Sequence, residues 1–200
     1  MSELLDRAIA FATEKHSGQK RKLSGTPYIL HPFEVAAIIS TMTDSEETIA
    51  AGLLHDTVED CGVDPLEIRR LFGPRVAALV ASETEDRLSG LPSSETWVRR
   101  KEESLLMLEM TKDIGVKILW LADKLSNIRS FVREYRAHGN EIWKGLNQKN
   151  PKMHEWYYRT IAQNMSELSD ADAYIEYTEL VDRLFNQITP SGGHNGNDNI

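Results

Sequence analysis

The sequence predicts an all-α protein. Apolar residues recur at helical spacing along most of the chain, segment ends carry capping and breaking residues, and alternating apolar and polar positions never persist beyond a few residues. Residues 2–16 place Leu4, Leu5, Ala8, Phe11 and Ala12 on one face. "HSGQKRKLSGTPYI" reads as a Gly- and Pro-containing loop. "HPFEVAAIISTM" opens a helix in which Pro32 sits just inside the start, where a missing N–H costs nothing. "DSEETIAAGLLHDTVED" reads as one helix from Asp44 to Asp60, with Asp44 and Glu47 spaced as a capping box and Cys61–Gly62 as its end. "DPLEIRRLFG" has Asp64 as cap, Pro65 at the first position and Gly73 as stop. "PRVAALVASETE" follows as another helix, then a loop at 88–94 and a charged helix at 95–112. "GVKILWLADKLSNIRSFVREYRAHG" is a long helix with Ile118, Leu119, Leu121, Ala122, Leu125 and Ile128 inward. Two more helices are expected near 151–168 and 170–188, and the Gly- and Asn-rich tail at 189–200 is expected to be disordered. Residues 1–188 thus read as a single domain.

Composition narrows the function classes. The chain has 200 residues, 40% hydrophobic and 27% charged, enough for a sizeable core. No apolar run is long enough to span a membrane. A net charge of −8 argues against wrapping duplex DNA, because phosphate contacts need clustered cations. The lone Cys61 excludes a disulfide framework or a Cys-rich zinc site. With an N-terminus that carries acids and no cleavable signal pattern, a cytoplasmic location is expected. Two basic clusters, "QKRK" at 19–22 and "RRK" at 99–101, run against the acidic average.

"GLLHDTVED" concentrates chemistry. His55 and Asp56 are followed one turn on by Glu59 and Asp60. Acids near a helix C-terminus meet the unfavourable end of the dipole, an objection that a cation in front of them removes. A frayed acidic end with a core histidine is the plain alternative. His31 starts a helix after Tyr28, Ile29 and Leu30, and Asp123 is embedded in the apolar "LWLADKLSN". An unpaired carboxylate there would be costly. Two His and two Asp from three helices suit a borderline divalent ion with open positions, such as Mn²⁺, better than a closed structural zinc site. Residues 123, 127 and 130 share one helical stripe, so Asn127 and Ser130 line up with Asp123 unless they belong to a solvated face.

His31, the pair His55–Asp56 and the distant Asp123 resemble the H…HD…D signature of HD-domain phosphohydrolases. "RKLSGTPYILHPFEVA", "GLLHDTVED" and "LADKLSNIRS" resemble the three sequence blocks of Rel/Spo-type alarmone hydrolases, over roughly residues 5–135 and more weakly to about 186. The resemblance implies an HD-domain helical bundle that removes the 3′-pyrophosphate of ppGpp-type nucleotides using Mn²⁺. It leaves no room for the synthetase and regulatory domains of long members, so a small single-domain hydrolase is expected. It implies His31, His55, Asp56 and Asp123 as metal ligands. Glu59 and Asp60 are then the acidic pair beside the metal's water; which is acid and which base stays open. By the same resemblance, Arg21 and Lys22 are similar to the family's base-facing pair, Asn127 is expected to face the sugar region, and Ser130, where Thr is usual, is expected to face phosphate. Arg100 and Lys101 offer further pyrophosphate contacts, with a solvated face as the equal alternative. Leu23, Ser126 and Cys61 depart from close family members; Leu23 lies in the base pocket and leaves guanine versus adenine open. Turnover of an adenine alarmone or of the phosphate of NADPH, and a non-catalytic nucleotide-sensing module, remain alternatives. A small-molecule nucleotide is the expected partner, with no nucleic acid and no membrane.

Other conspicuous residues have plain readings. His16, His138 and His154 lack partners at ligand spacing and are expected at the surface or at helix ends. The four Trp residues are expected in core or groove positions, and Arg129 in a salt bridge. A thiol beside carboxylates has a raised pKa, which makes Cys61 a poor nucleophile.

Overall fold

A computed structural model describes residues 2–85 and 92–188; the expected tail at 189–200 and most of the loop at 88–94 lie outside the described residues. Among the described residues there is no strand, only an isolated Lys20–Pro27 bridge. The helices are α1 (Glu3–Lys15), α2 (Leu30–Ile39), α3 (Glu46–Leu54), α4 (Thr57–Cys61), α5 (Pro65–Glu83), α6 (Ser93–Met110), α7 (Ile114–His138), α8 (Pro151–Asn164) and α9 (Asp172–Asn186), with a 3-10 segment at Gly139–Gly145. The all-α expectation holds.

α7 is the centre. It packs against α2, α3, α5 and α9, and Ile118, Leu119, Leu121, Ala122, Leu125 and Ile128 are all buried. Partners on several sides explain why burial is not confined to one stripe: Lys117, Asp123, Lys124 and Glu134 are buried as well. Asp113 starts this helix, its side chain accepting from the Gly115 N–H at 2.9 Å. α2 and α3 approach so closely that a Cβ on Gly52 would stand 2.5 Å from Ile39 Cδ1. α5 begins as the sequence indicates, with Asp64 as cap and Pro65 in the first turn. Gly73, with φ 89°, breaks it where the stop was expected, and Pro74 restarts it.

Two local expectations are corrected. Ser45, not Asp44, caps α3, its hydroxyl accepting from the Thr48 N–H at 3.3 Å. The helix expected to run from 44 to 60 divides at His55–Asp56. The reason lies in side chains that capture the carbonyls needed to continue it. His55 Nδ1 takes the Gly52 carbonyl at 2.9 Å, and the Thr57 hydroxyl takes the Leu54 carbonyl at 2.7 Å. A new helix starts with the Asp60 N–H donating to the Asp56 carbonyl at 2.8 Å. Glu59 and Asp60 therefore sit in a separate helix of 5 residues, too short for a sizeable dipole, and the objection to acids at the end of a long helix does not arise.

His16 lies at a helix end, as expected: it caps α1, is 2% exposed, and lies 2.7 Å from Gln19 Oε1. The plain reading of one histidine changes. His154 is buried among Trp97, Phe131 and Trp143, with Nε2 2.8 Å from the Gln148 carbonyl. His138 is exposed, as expected. Trp97, Trp120 and Trp143 are core residues, and Arg129 forms ion pairs with Glu34 and Glu176. No helix among the described residues is long and apolar enough to cross a membrane.

Candidate metal centre and nucleotide cleft

Three chain segments bring four side chains to one point. His31 comes from the first turn of α2, His55 and Asp56 from the break between α3 and α4, and Asp123 from the middle of α7. His31 Nε2 lies 3.0 Å from Asp123 Oδ1 and 3.6 Å from Asp56 Oδ2. His55 Nε2 lies 2.9 Å from Asp56 Oδ2 and 3.6 Å from Asp123 Oδ1. His31, His55 and Asp123 can each offer a ligand atom within 4.8 Å of the other two, and Asp56 completes the ring from its half-buried position.

Hydrogen-bond accounting fixes what these atoms present. The Gly52 carbonyl only accepts, so a neutral His55 carries its proton on Nδ1 and turns a lone pair inward on Nε2. That Nε2 is buried and finds no hydrogen-bond partner among the described residues. Ser126 donates its one hydroxyl hydrogen to Glu34 Oε2 at 2.7 Å, so its oxygen accepts from His31 Nδ1 at 2.8 Å. His31 Nε2 also faces inward as a lone pair. With both imidazoles neutral, two lone pairs thus confront two carboxylates, and none of these four groups offers the others a donor; Tyr28 and Asn127 donate to the carboxylates from outside the ring. Neighbouring donor atoms on one divalent ion lie about 3 Å apart when each bond is about 2.1 Å, which matches the observed spacing. The donor set fits a divalent cation.

The electrostatics follow the same arrangement. Burial works against the ionised forms of Asp56 and Asp123. The histidines overcome it at Asp56, and Lys124 with the histidines at Asp123, holding both below the usual carboxylate range. Burial lowers His31 and prevails there. It would lower His55 too, but Asp56 and Asp123 raise that imidazole well above its ordinary value. A proton on His55 relieves part of the lone-pair conflict, while a cation relieves it for all four groups.

Several partners were not legible as such in the sequence. Tyr28 donates to Asp56 Oδ2 at 2.6 Å, and burial, then Asp56, push its own pKa up. Lys124 bridges Asp123 and Glu83, the latter 3.2 Å from its Nζ. The available signal for Lys124 was a second charge beside Asp123 within an apolar helix.

Beside this centre runs a cleft in two halves that share Lys22, Asn127 and Phe131. One half, about 440 Å³, is lined by Arg21, Lys22, Leu23, Tyr28, Asp60, Asn127 and Ser130, among others. The other, about 320 Å³, adds Lys101, Lys124, His154 and Tyr157. Such volumes suit a small-molecule ligand. Asn127 donates to Asp123 Oδ1 at 2.7 Å and accepts from Arg21 at 3.0 Å, which joins the loop before α2 to the His–Asp cluster. Arg21 also lies over the Tyr28 ring, 5.7 Å from its centroid. Lys101 pairs with Glu85 and sits 4.9 Å from the Tyr157 ring centroid. Arg100 lines neither half; it is buried against Glu85, Thr96 and the Ser93 carbonyl. Glu59 is half-buried, with its Oε2 3.5 Å from the Glu85 N–H, while Asp60 opens onto the cleft. Burial raises the Cys61 thiol, as the sequence led one to expect. Cations gathered here, in a chain of net charge −8, focus attraction for anions on the cleft.

The HD-domain description matches residues 8–151, and the chain belongs to the HD-domain family. It is similar to the GTP pyrophosphokinase rsh of Brucella ovis, 42% identical over 127 residues, which are 64% of this chain and 17% of that protein. It is also similar to the guanosine-3′,5′-bis(diphosphate) 3′-pyrophosphohydrolase of Aquifex aeolicus, 41% identical over 129 residues, 64% of this chain and 18% of that one. The chain spans about a sixth of the length of these curated relatives. Among solved structures, one described as a metazoan ortholog of SpoT that hydrolyzes ppGpp and plays a role in starvation responses superposes with a TM-score of 0.70. It shares 26% identity and covers 94% of this chain and 96% of its own. A protein of Listeria monocytogenes EGD-e gives a TM-score of 0.68 at 32% identity, over 78% of this chain and 99% of that one.

Proposed function

We propose that this chain hydrolyses the 3′-pyrophosphate of ppGpp-type alarmones, yielding the nucleoside 5′-di- or triphosphate and pyrophosphate, with a divalent cation held by His31, His55, Asp56 and Asp123. The observation that carries the reading is the inward-facing set of acceptors, two imidazole lone pairs and two carboxylates, at the edge of a cationic cleft. The names of the Aquifex relative and of the SpoT ortholog support the choice of substrate. Mn²⁺ is the proposed ion, since mixed imidazole and carboxylate ligation suits it.

When bound, the cation supplies Lewis acidity to the phosphoryl group and acidifies a water. Glu59 and Asp60 handle protons, one accepting from the attacking water and the other returning a proton to the departing 3′ oxygen. Asn127 fixes the orientation of Asp123 and of Arg21. Arg21, braced on Tyr28, offers a planar cation for the base or a phosphate. Lys22 and Lys101 attract the remaining charge from the two halves of the cleft, Ser130 adds a hydroxyl on the α7 stripe, and Arg100 holds Glu85 in place beside Lys101. Leu23 lines the same half as Arg21 and Lys22 and carries no hydrogen-bonding side chain of its own, so adenine alarmones are kept as a second reading.

The test is incubation with Mn²⁺ and a panel of ppGpp, pppGpp, ppApp and NADPH, with products resolved by mass. Release of pyrophosphate from ppGpp, reduced about 10²- to 10⁴-fold in the Glu59→Gln/Asp60→Asn variant while binding persists, is expected. Binding of ppGpp without turnover by the unaltered protein would identify a sensing module instead.

A further inference from the structure

We infer that Ser126 and Glu34 are positioning residues for the metal centre, acting through His31; this rests on the reading of His31 as a metal ligand. Ser126 departs from close members of the family that the sequence resembles, and the cleft does not use it. It is buried on α7, three residues past Asp123, and faces α2.

Its bonds form a directed chain. Arg129 donates to Glu34 Oε1 at 3.0 Å and to Glu176 Oε1 of α9 at 2.7 Å. Glu34 Oε2 accepts the Ser126 hydroxyl hydrogen at 2.7 Å. With that hydrogen committed, the Ser126 oxygen has only lone pairs left for His31 Nδ1, 2.8 Å away. The chain therefore forces a proton onto Nδ1 and a lone pair onto Nε2, which lies 3.0 Å from Asp123 Oδ1. The opposite tautomer would point a hydrogen where a ligand must donate electrons. Outer partners of ligating histidines set tautomer and basicity in this way. The carboxylate is essential to the logic. A carboxamide at position 34 can donate to Ser126, letting the hydroxyl turn its hydrogen toward His31 Nδ1 and reversing the tautomer. His55 needs no such chain, because the Gly52 carbonyl can only accept.

The experiment uses the full chain, stripped of metal and studied at pH 8, as wild type, Ser126→Ala and the near-isosteric Glu34→Gln. Calorimetric titration with Mn²⁺ reads affinity, nitrogen-detected imidazole NMR reads the His31 tautomer, and thermal unfolding of the metal-free forms reads folding. Both variants are expected to bind Mn²⁺ about 10- to 100-fold more weakly. In Glu34→Gln the NMR is expected to show loss of the Nδ1–H form, with a metal-free melting temperature close to that of the wild type. Wild-type affinity in both variants overturns the inference, and so does weaker binding with the Nδ1–H tautomer intact. Absence of Mn²⁺ binding by the wild type itself overturns the metal reading first, and this inference with it.

Discussion

Replacing Glu83 with Gln should make the protein more stable at pH 8, with most of that gain lost by pH 5. The Glu83 side chain is 4% exposed, though the residue as a whole is half-buried, and it shares one cation, Lys124, with the buried Asp123. Asp123 also has the two imidazoles, whereas Glu83 Oε1 finds no partner among the described residues. Burial, reinforced by Asp123 and only partly countered by Lys124, pushes Glu83 up from 4.5 to about 7. A carboxyl whose folded pKa is raised holds a proton that the unfolded chain releases. Its contribution to stability therefore falls as pH climbs from about 4.5 to about 7, and the full penalty is present above that window. At about 1.4 kcal/mol per pKa unit, the penalty approaches roughly 3 kcal/mol. Gln resembles the protonated acid and can still accept from Lys124. Urea unfolding of metal-free wild type and variant across pH 5 to 8 reads Glu83 together with the Asp123 and Lys124 charges it faces, while groups remote from it cancel in the difference. A difference that stays flat across the window, or a variant that loses stability at pH 8, would refute the reasoning.

Other outcomes follow from individual contacts. Gly52→Ala should destabilise by about 1–2 kcal/mol in thermal or chemical unfolding. The new Cβ meets Ile39 Cδ1 at 2.5 Å and Val35 Cγ1 at 3.3 Å, and the overpacking outweighs the gain in helix propensity. His154 is lowered by burial from 6.5, so the unfolded chain takes up a proton more readily and stability falls as pH drops below about 6.5. His154→Phe should therefore cost less at pH 5 than at pH 8 in paired unfolding curves.

The fold was legible because its signals are local and redundant. Asp64–Pro65 and Gly73 mark α5, and the inward residues of α7 follow the helical period without interruption. The residues brought together at the candidate metal centre were legible as chemistry out of place, an Asp inside an apolar helix and a His–Asp pair beside further acids. What escaped depended on contacts between distant segments or on choices between equivalent caps. Ser45 and Asp44 are both good caps, and only the backbone path selects Ser45. The break at His55–Asp56 leaves the helical period nearly intact, since both residues keep right-handed angles; side-chain capture of two carbonyls decides it. His154 is enclosed by partners that no spacing rule links to it. The Ser126–Glu34 bond joins residues 92 positions apart.

The most direct measurement is calorimetric titration of the metal-free chain with Mn²⁺, beside the isosteric Asp123→Asn variant. The account predicts saturable uptake of one ion per chain by the wild type, weakened about 100-fold or more in the variant, because a direct ligand matters at least as much as its outer partners. No uptake by the wild type, or equal uptake by both, would contradict it.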